Sequence, residues 1–431
     1  MSHRANRRLQ VSALTRVEGE AALHIGVRDG EVDDVRLNIY EPPRFFEALL
    51  RGRSYTEPPD LTARICGICP VAYQMSACQA IEQACGVTVA GPLADLRRLL
   101  YWGEWIESHT LHIYLLHAPD FLGLPDAITL ARSERPLVER GLAIKRAGNR
   151  LVEVVGGRAI HPVNVRLGGF YRLPTRAELA SIRGELAEAL DAAVATVEWV
   201  AGFDFPDVEL AGEMLALHDP GRYAVDSGLL HTSGGLTFPA AEFGDHVAES
   251  QVPHSTAKHA TFDGAPYLVG PLARYSLNSV WLAPGAAELA RAAGLGPTCR
   301  NPFQSIVVRA VEVVHAIEDA IATIDAYRPP EVASLDVAPR AATGYGATEA
   351  PRGLLYHRYQ LDAEGTILDA DLVAPTAQNQ ASIEADLRRL VAGHLDLDDH
   401  ELTHLCERAI RNHDPCISCS AHFLNLSVER G

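Results

Sequence analysis

Arg64-Ile65-Cys66-Gly67-Ile68-Cys69-Pro70 and Asp414-Pro415-Cys416-Ile417-Ser418-Cys419-Ser420-Ala421-His422 are the two stretches on which the reading of this chain turns. Each carries a C-x-x-C pair. Pro70 suits a first helical turn, and Asp414-Pro415 reads as a capping residue followed by a proline at the first helical position. Both pairs are therefore expected to open helices, where unpaired N–H groups and the positive helix end favour thiolates. Cys416, Cys419 and His422 recur every three residues, so they fall roughly along one side of a tight turn. Two such half-sites facing each other would surround one metal with four soft sulfur donors. Zinc is the commonest occupant of paired C-x-x-C motifs, but zinc ribbons usually close their ligand set within ~25 residues. Here about 350 residues separate the pairs. A thioredoxin-like dithiol would need a βαβ context that neither pair has. Spacing alone leaves a redox metal site and a zinc site both open.

Outward from these motifs, the first forty residues alternate as strands do. Ala21 to Val27 and Val32 to Tyr40 flank Asp29-Gly30, a hairpin turn signal, and residues 9–40 are expected to form an N-terminal β-hairpin. Apolar residues then recur at 3–4 spacing over Leu93 to Leu116, Arg176 to Val200 and Ser305 to Ile324, as in the helices of a bundle. Residues 204–280 are rich in Gly and Pro and read as a mixed insertion. A second hairpin is expected from Leu354 to Leu372, turning at Asp362-Ala363-Glu364-Gly365. The predicted class is α+β, mainly α: a helical-bundle core with N-terminal and C-terminal β-hairpins and a mixed insertion, in a single domain over 1–431.

Composition narrows the function. The chain has 431 residues, 47% of them hydrophobic, enough for a large core, and a formal net charge of −17. So acidic a surface repels phosphate backbones and argues against a nucleic-acid partner. No run of eighteen apolar residues exists to span a membrane, and no apolar run follows Arg7-Arg8 as a twin-arginine signal would require. Eight cysteines are too few for a disulfide scaffold in a chain of this length. These features predict a reduced, cytoplasmic protein.

Taken together, the RICGIC and DPCxSCxxH stretches resemble the two signatures of nickel–iron hydrogenase large subunits. Arg16-Val17-Glu18-Gly19-Glu20, Arg44-Phe45-Phe46-Glu47 and Glu349-Ala350-Pro351-Arg352-Gly353 fit the same pattern in the same order. Gly157-Arg158-Ala159-Ile160-His161-Pro162 and Leu372-Val373-Ala374-Pro375-Thr376 are similar to the group as well. The resemblance covers about residues 10 to 422. It implies reversible heterolytic oxidation of H2 at a nickel–iron centre whose iron carries CO and cyanide. Cys66, Cys69, Cys416 and Cys419 would ligate nickel, with Cys69 and Cys419 bridging to iron. Cys416 would take the proton from H2 and pass it to Glu18, whose carboxylate can act as a relay because burial tunes its pKa. Arg352, beside Pro351, would stand over the cyanide side of iron, and Thr376 would hydrogen-bond the other cyanide. Asp414 would serve as an N-cap, as a carboxylate beside Arg352, or as both. Glu47, the backbone carbonyl of Leu372 and His422 would hold magnesium, with His422 an unusual ligand for that ion.

Two positions depart from the family pattern. Tyr73 stands where many members have His, and Ser108 where others have Asp. Residues 423–431 form a possible cleavable tail, implying a maturation protease and nickel-insertion proteins as partners.

With four cysteines assigned, no set remains with iron–sulfur spacing. Electrons are thus expected to leave through an iron–sulfur small subunit, then through flavin-bearing NAD(P) diaphorase subunits, as in the cytoplasmic NAD(P)-linked hydrogenases and sulfhydrogenases that this chain resembles. The alternatives are an H2-sensing regulatory hydrogenase chain or a zinc-holding structural scaffold. Elsewhere, His109, His112 and His117 read as core or interface packing. Cys78 and Cys85 read as small buried apolar residues. Gly344-Tyr345-Gly346 lacks the third glycine of a dinucleotide fingerprint and reads as a turn.

Overall fold

The computed structural model describes residues 6–42 and 44–421. Four long helices form its centre. Pro92–Leu111 packs on Arg135–Gly156 and on Ser305–Ala326, and Arg176–Ala201 closes the ring by packing on the latter two. Three of these match the periodic stretches in the sequence. The Pro92–Leu111 helix runs on without a break into a π-helical segment, His112–His117. Arg176–Ala201 starts at a reciprocal cap, in which Thr175 accepts the Glu178 N–H and the Glu178 side chain accepts the Thr175 N–H. Trp102, Trp105, Ile106, Val311 and Val314 fill the interior of the bundle.

Three β layers surround that centre, two of them antiparallel throughout and the third with one parallel pair, Tyr267–Leu268 beside Glu213–Met214. At the N-terminus Arg7–Val11, Ala21–Arg28 and Glu31–Ile39 pair in order, so the expected hairpin gains a third strand. Its turn lies at Asp29-Gly30, both with positive φ. Near the C-terminus Ala342–Ala350, Gly353–Leu361 and Ile367–Val373 form a second meander, again one strand larger than expected. Residues 204–280 contain a four-stranded sheet together with the hairpin Val247–Gln251 and Lys258–Phe262.

Gly344-Tyr345-Gly346 is a strand and not a turn. It lies within Ala342–Ala350, against the Pro70–Cys85 helix. A Cβ at Gly344 would stand 1.9 Å from the Ala80 carbonyl oxygen, and one at Gly346 2.5 Å from that of Ser76. The two glycines let helix and strand backbones touch, and so bring the helix that starts at Cys69 onto the sheet whose next turn carries Arg352.

Candidate metal centre

The first cysteine pair sits between the short helical turn Ala63–Ile65 and the helix Pro70–Cys85, with Cys69 at its N-cap and Pro70 following. The helix-end N–H groups do not face the sulfurs as expected. Glu104, from the bundle, accepts from Val71 N at 2.6 Å and from Ala72 N at 3.2 Å, while Cys66 Sγ receives the Ile68 N–H at 3.3 Å. Burial pushes the Glu104 carboxyl well up.

The second pair is built differently from the cap read in the sequence. Asp414 has φ 50, and the single-turn helix Ile417–Ser420 begins after Cys416, so Asp414 is not its N-cap and Pro415 is not its first residue. Capping falls to Glu18, 398 residues upstream of Cys416. Its backbone carbonyl accepts from Ile417 N at 3.0 Å and its Oε2 from Ser418 N at 3.0 Å. Gly19 has φ 90, and a Cβ there would stand 2.5 Å from that of Ile417, so the loop carrying Glu18 can lie this close only with glycine.

Arg44 ties the two half-sites together. Its guanidinium donates to the Ile65 carbonyl at 2.8 Å and to the Ser418 carbonyl, and its backbone N–H donates to Ala421 O at 3.0 Å. The four sulfurs converge in consequence. Cys66 and Cys416 Sγ are 3.5 Å apart, Cys69 and Cys419 Sγ 3.4 Å, and all four atoms lie within 4.8 Å of one another. All four cysteines are buried. Burial drives the Cys416 thiol well above its ordinary range, because a thiolate there lacks water. A cation among the sulfurs removes that penalty and deprotonates them.

Three further groups line this centre. Glu18 Oε2 lies 3.3 Å from Cys416 Sγ. The hydroxyl of Thr376 accepts the Cys416 N–H at 3.0 Å. Arg352 donates from Nε to the Asp414 carbonyl at 2.8 Å and from Nη2 to its carboxylate at 3.1 Å, and its buried Nη1 has no partner among the described residues. Burial works against the charge on Arg352, but Asp414 and the neighbouring cysteines outweigh it and keep the guanidinium protonated. Asp414 thus follows the second of its expected roles.

Sequence reasoning missed what aims Arg352. Arg274 donates to the carbonyls of Ala350 at 2.6 Å and Pro351 at 2.9 Å, and is itself held by Glu312 and Glu349. Ser418 and Glu41 were also missed: the Ser418 hydroxyl contacts Glu18 Oε1 at 2.6 Å and Glu41 Oε1 at 2.8 Å. A serine inside the C-x-x-C spacing was the one available signal.

At the expected magnesium position Glu47 Oε1 accepts the Leu372 N–H at 2.9 Å, and burial pushes its carboxyl up to about 9. His422 lies outside the described residues, as does the tail 423–431. Tyr73 donates to the Cys419 carbonyl at 3.4 Å, and its ring meets that of His357 at 5.7 Å. Ser108 is buried in the bundle. His109, His112 and His117 are buried, and among the described residues they do not meet as a ligand group. Cys78 is buried and Cys85 half-buried.

A family profile described as nickel-dependent hydrogenase matches residues 44–135 and 223–422, and so embraces both cysteine pairs. The chain belongs to the nickel-dependent hydrogenase family. Among its relatives, the alpha chain of sulfhydrogenase 1 from Pyrococcus furiosus is 35% identical over 426 residues, covering 97% of this chain and 98% of that protein. The corresponding chain of sulfhydrogenase 2 from the same organism is 34% identical over 436 residues, with 97% and 100% covered. A solved NAD+-reducing [NiFe]-hydrogenase in its H2-reduced state superposes with TM-score 0.87 at 26% identity, covering 96% of this chain and 99% of that one. The mainly helical α+β fold is that of hydrogenase large subunits, and the chain is a hydrogenase, an oxidoreductase that acts on H2. The four-cysteine cluster fits the nickel–iron site of such an enzyme, with soft donors for the metals and a spare buried N–H on Arg352 beside them.

Proposed function

We propose that this chain is the H2-activating component of a cytoplasmic hetero-oligomer that exchanges electrons between H2 and NAD(P). Cys66, Cys69, Cys416 and Cys419 would hold a nickel–iron centre with CO and cyanide on iron, which would supply the chemistry of heterolytic H2 cleavage. Cys69 and Cys419 would be ligands shared by both metals, and Cys66 and Cys416 ligands to nickel. Cys416 Sγ receives the proton, and Glu18 Oε2, at 3.3 Å, takes it onward. Arg352, in a loop fixed through Pro351 and Asp414, would offer its unpartnered Nη1–H to one cyanide. Thr376, whose oxygen is engaged by the Cys416 N–H, keeps its hydroxyl proton for the other cyanide. Glu47, the Leu372 carbonyl and His422 would hold a magnesium ion.

The remaining cysteines, Cys78, Cys85, Cys299 and Cys406, form no ligand group among the described residues. Electrons therefore need an iron–sulfur small subunit, with a flavin-bearing NAD(P) diaphorase beyond it. Similarity to the NAD+-reducing enzyme supports that route. No helix among the described residues is long and apolar enough to cross a membrane. Residues 423–431 would be the segment on which a maturation protease acts, after nickel-insertion proteins.

The observation that carries this reading is the convergence of four sulfurs on Glu18 and Arg352. Elemental analysis and infrared spectroscopy of the purified complex test it. Equimolar nickel and iron, sharp CO and cyanide bands, and H2-driven NAD(P) reduction are expected. Zinc in the cysteine site with no such bands would overturn it.

A further inference from the structure

A second group of ligand-type side chains meets away from the cysteines, where the hairpin of residues 247–262 packs on the helix Pro375–Gly393. His254 lies in the turn of that hairpin, His259 in its returning strand, and Glu384 on the helix. One ring nitrogen from each imidazole and one carboxylate oxygen fall within 4.8 Å of one another. His254 Nε2 is 2.8 Å from Glu384 Oε1, and the two imidazoles stand edge to face at 5.6 Å.

His259 is only 6% exposed, yet its Nε2 has no hydrogen-bond partner among the described residues. Burying an imidazole nitrogen without a partner is costly, and a metal ion is one of the few groups that satisfies it.

The surroundings hold the three donors in place. Glu384 Oε1 accepts the Leu37 N–H at 2.8 Å, which fixes the carboxylate against the N-terminal sheet. Thr256, between the two histidines, donates from its backbone to Ile39 O at 2.8 Å and from its hydroxyl to Glu41 O at 2.9 Å. Such hydrogen bonds behind the donors are what orient ligands in metal sites.

We propose that His254, His259 and Glu384 bind one zinc-type divalent cation, separate from the four-cysteine centre. Two neutral imidazoles and one carboxylate suit a late first-row divalent ion, whereas calcium and magnesium prefer all-oxygen sets. Three protein ligands leave a fourth position for water, and the His254 and Glu384 side chains are 19% and 16% exposed. With bonds of about 2.0–2.2 Å, neighbouring donors in a tetrahedral site stand roughly 3.3 Å apart. The 2.8 Å pair and the 4.8 Å limit bracket that spacing, so small side-chain rotations complete it. The ion would clasp the hairpin to the helix that carries Thr376.

The test uses the purified holo-complex dialysed against a weak chelator, then titrated with zinc under metal analysis and zinc-edge X-ray absorption. One zinc per chain is expected in addition to nickel and iron, with nitrogen and oxygen neighbours only. His259→Gln and Glu384→Gln should lose it while nickel content and H2/D+ exchange stay unchanged. If His259→Gln is insoluble, His254→Gln, at the exposed rim, should weaken zinc uptake by at least about tenfold. No zinc at saturating concentration would reduce the group to an ordinary His–Glu ion pair and overturn the site. Sulfur neighbours around the zinc, or undiminished zinc in the substituted proteins, would overturn it equally.

Discussion

Glu18 Oε2 and Cys416 Sγ stand 3.3 Å apart, and their backbones form a parallel bridge although they come from opposite ends of the chain. The same carboxylate accepts the Ser418 N–H and hydroxyl, so its position is fixed by three donors. A relay group held in this way passes a proton without first having to find its partner.

Glu18→Gln preserves shape and one of the two oxygens that accept from Ser418, but cannot carry a proton. H2/D+ exchange should fall by about 10²-fold or more, with nickel and iron contents unchanged. Exchange at the wild-type rate would remove Glu18 from the path.

Arg352→Lys keeps the charge and loses the fork that reaches Asp414 while leaving Nη1 free. Turnover should drop by about 10²–10³-fold if Nη1 stabilises charge at the metals. Arg352→Met goes further and leaves Asp414, 2% exposed, without its cation. Stranding a buried charge costs about 3–5 kcal/mol, so the melting temperature should fall clearly below that of Arg352→Lys. Equal melting temperatures would show that Asp414 finds another partner.

Gly344→Ala adds one methyl group where a Cβ would stand 1.9 Å from the Ala80 carbonyl. Backbone cannot yield there without separating helix from strand, and the cost should be about 1–3 kcal/mol or more. Thermal unfolding of the purified complex measures it; an unchanged midpoint would mean that the helix and strand can part freely.

His109 and His315 are buried in the bundle, and burial lowers both pKa values to about 4. The unfolded imidazoles titrate near 6.5, so as pH falls below that value the unfolded chain takes up protons that the folded one refuses. Their contribution is complete above about pH 6.5 and is lost as pH falls toward 4, at about 1.4 kcal/mol per unit for each. Glu349 and Glu249, pushed up to about 7 by burial, act in the opposite sense between 4.5 and that value. The check is therefore differential. His315→Asn, whose Oδ1 can replace Nδ1 as acceptor of the Ala283 N–H, should gain on wild type as pH drops from about 6.5 to about 4.5. Parallel melting curves against pH would refute it.

What the sequence discloses divides along physical lines. Periodicity of 3–4 exposes Pro92–Leu111, Arg176–Ala201 and Ser305–Ala326, because one stripe of each faces a common interior. Asp29-Gly30 exposes its turn because positive φ selects those residues. Gly344-Tyr345-Gly346 misleads, because the reason for its glycines is a helix backbone far upstream in the chain. Asp414 misleads similarly: its neighbour Pro415 imitates a local cap, whereas the capping groups belong to Glu18. The sulfurs could be named from C-x-x-C spacing, and Glu18 and Arg352 from motif resemblance. Arg274, Glu104 and Glu41 sit in no motif, and only folding places them beside the centre.

The wide separation of the half-sites also sets a clock on the making of this protein. At about 5–20 residues per second, a ribosome needs roughly 17–70 s between delivering Cys69 and delivering Cys416. Throughout that interval the first pair is a bare dithiol beside a growing bundle, open to stray metals and oxidants. Whatever loads the correct metals must either guard those thiols until the last stretch is synthesised or act only on the released chain. Arg44 then works as a latch that closes late, since the Ser418 carbonyl it grips is made 374 residues after it.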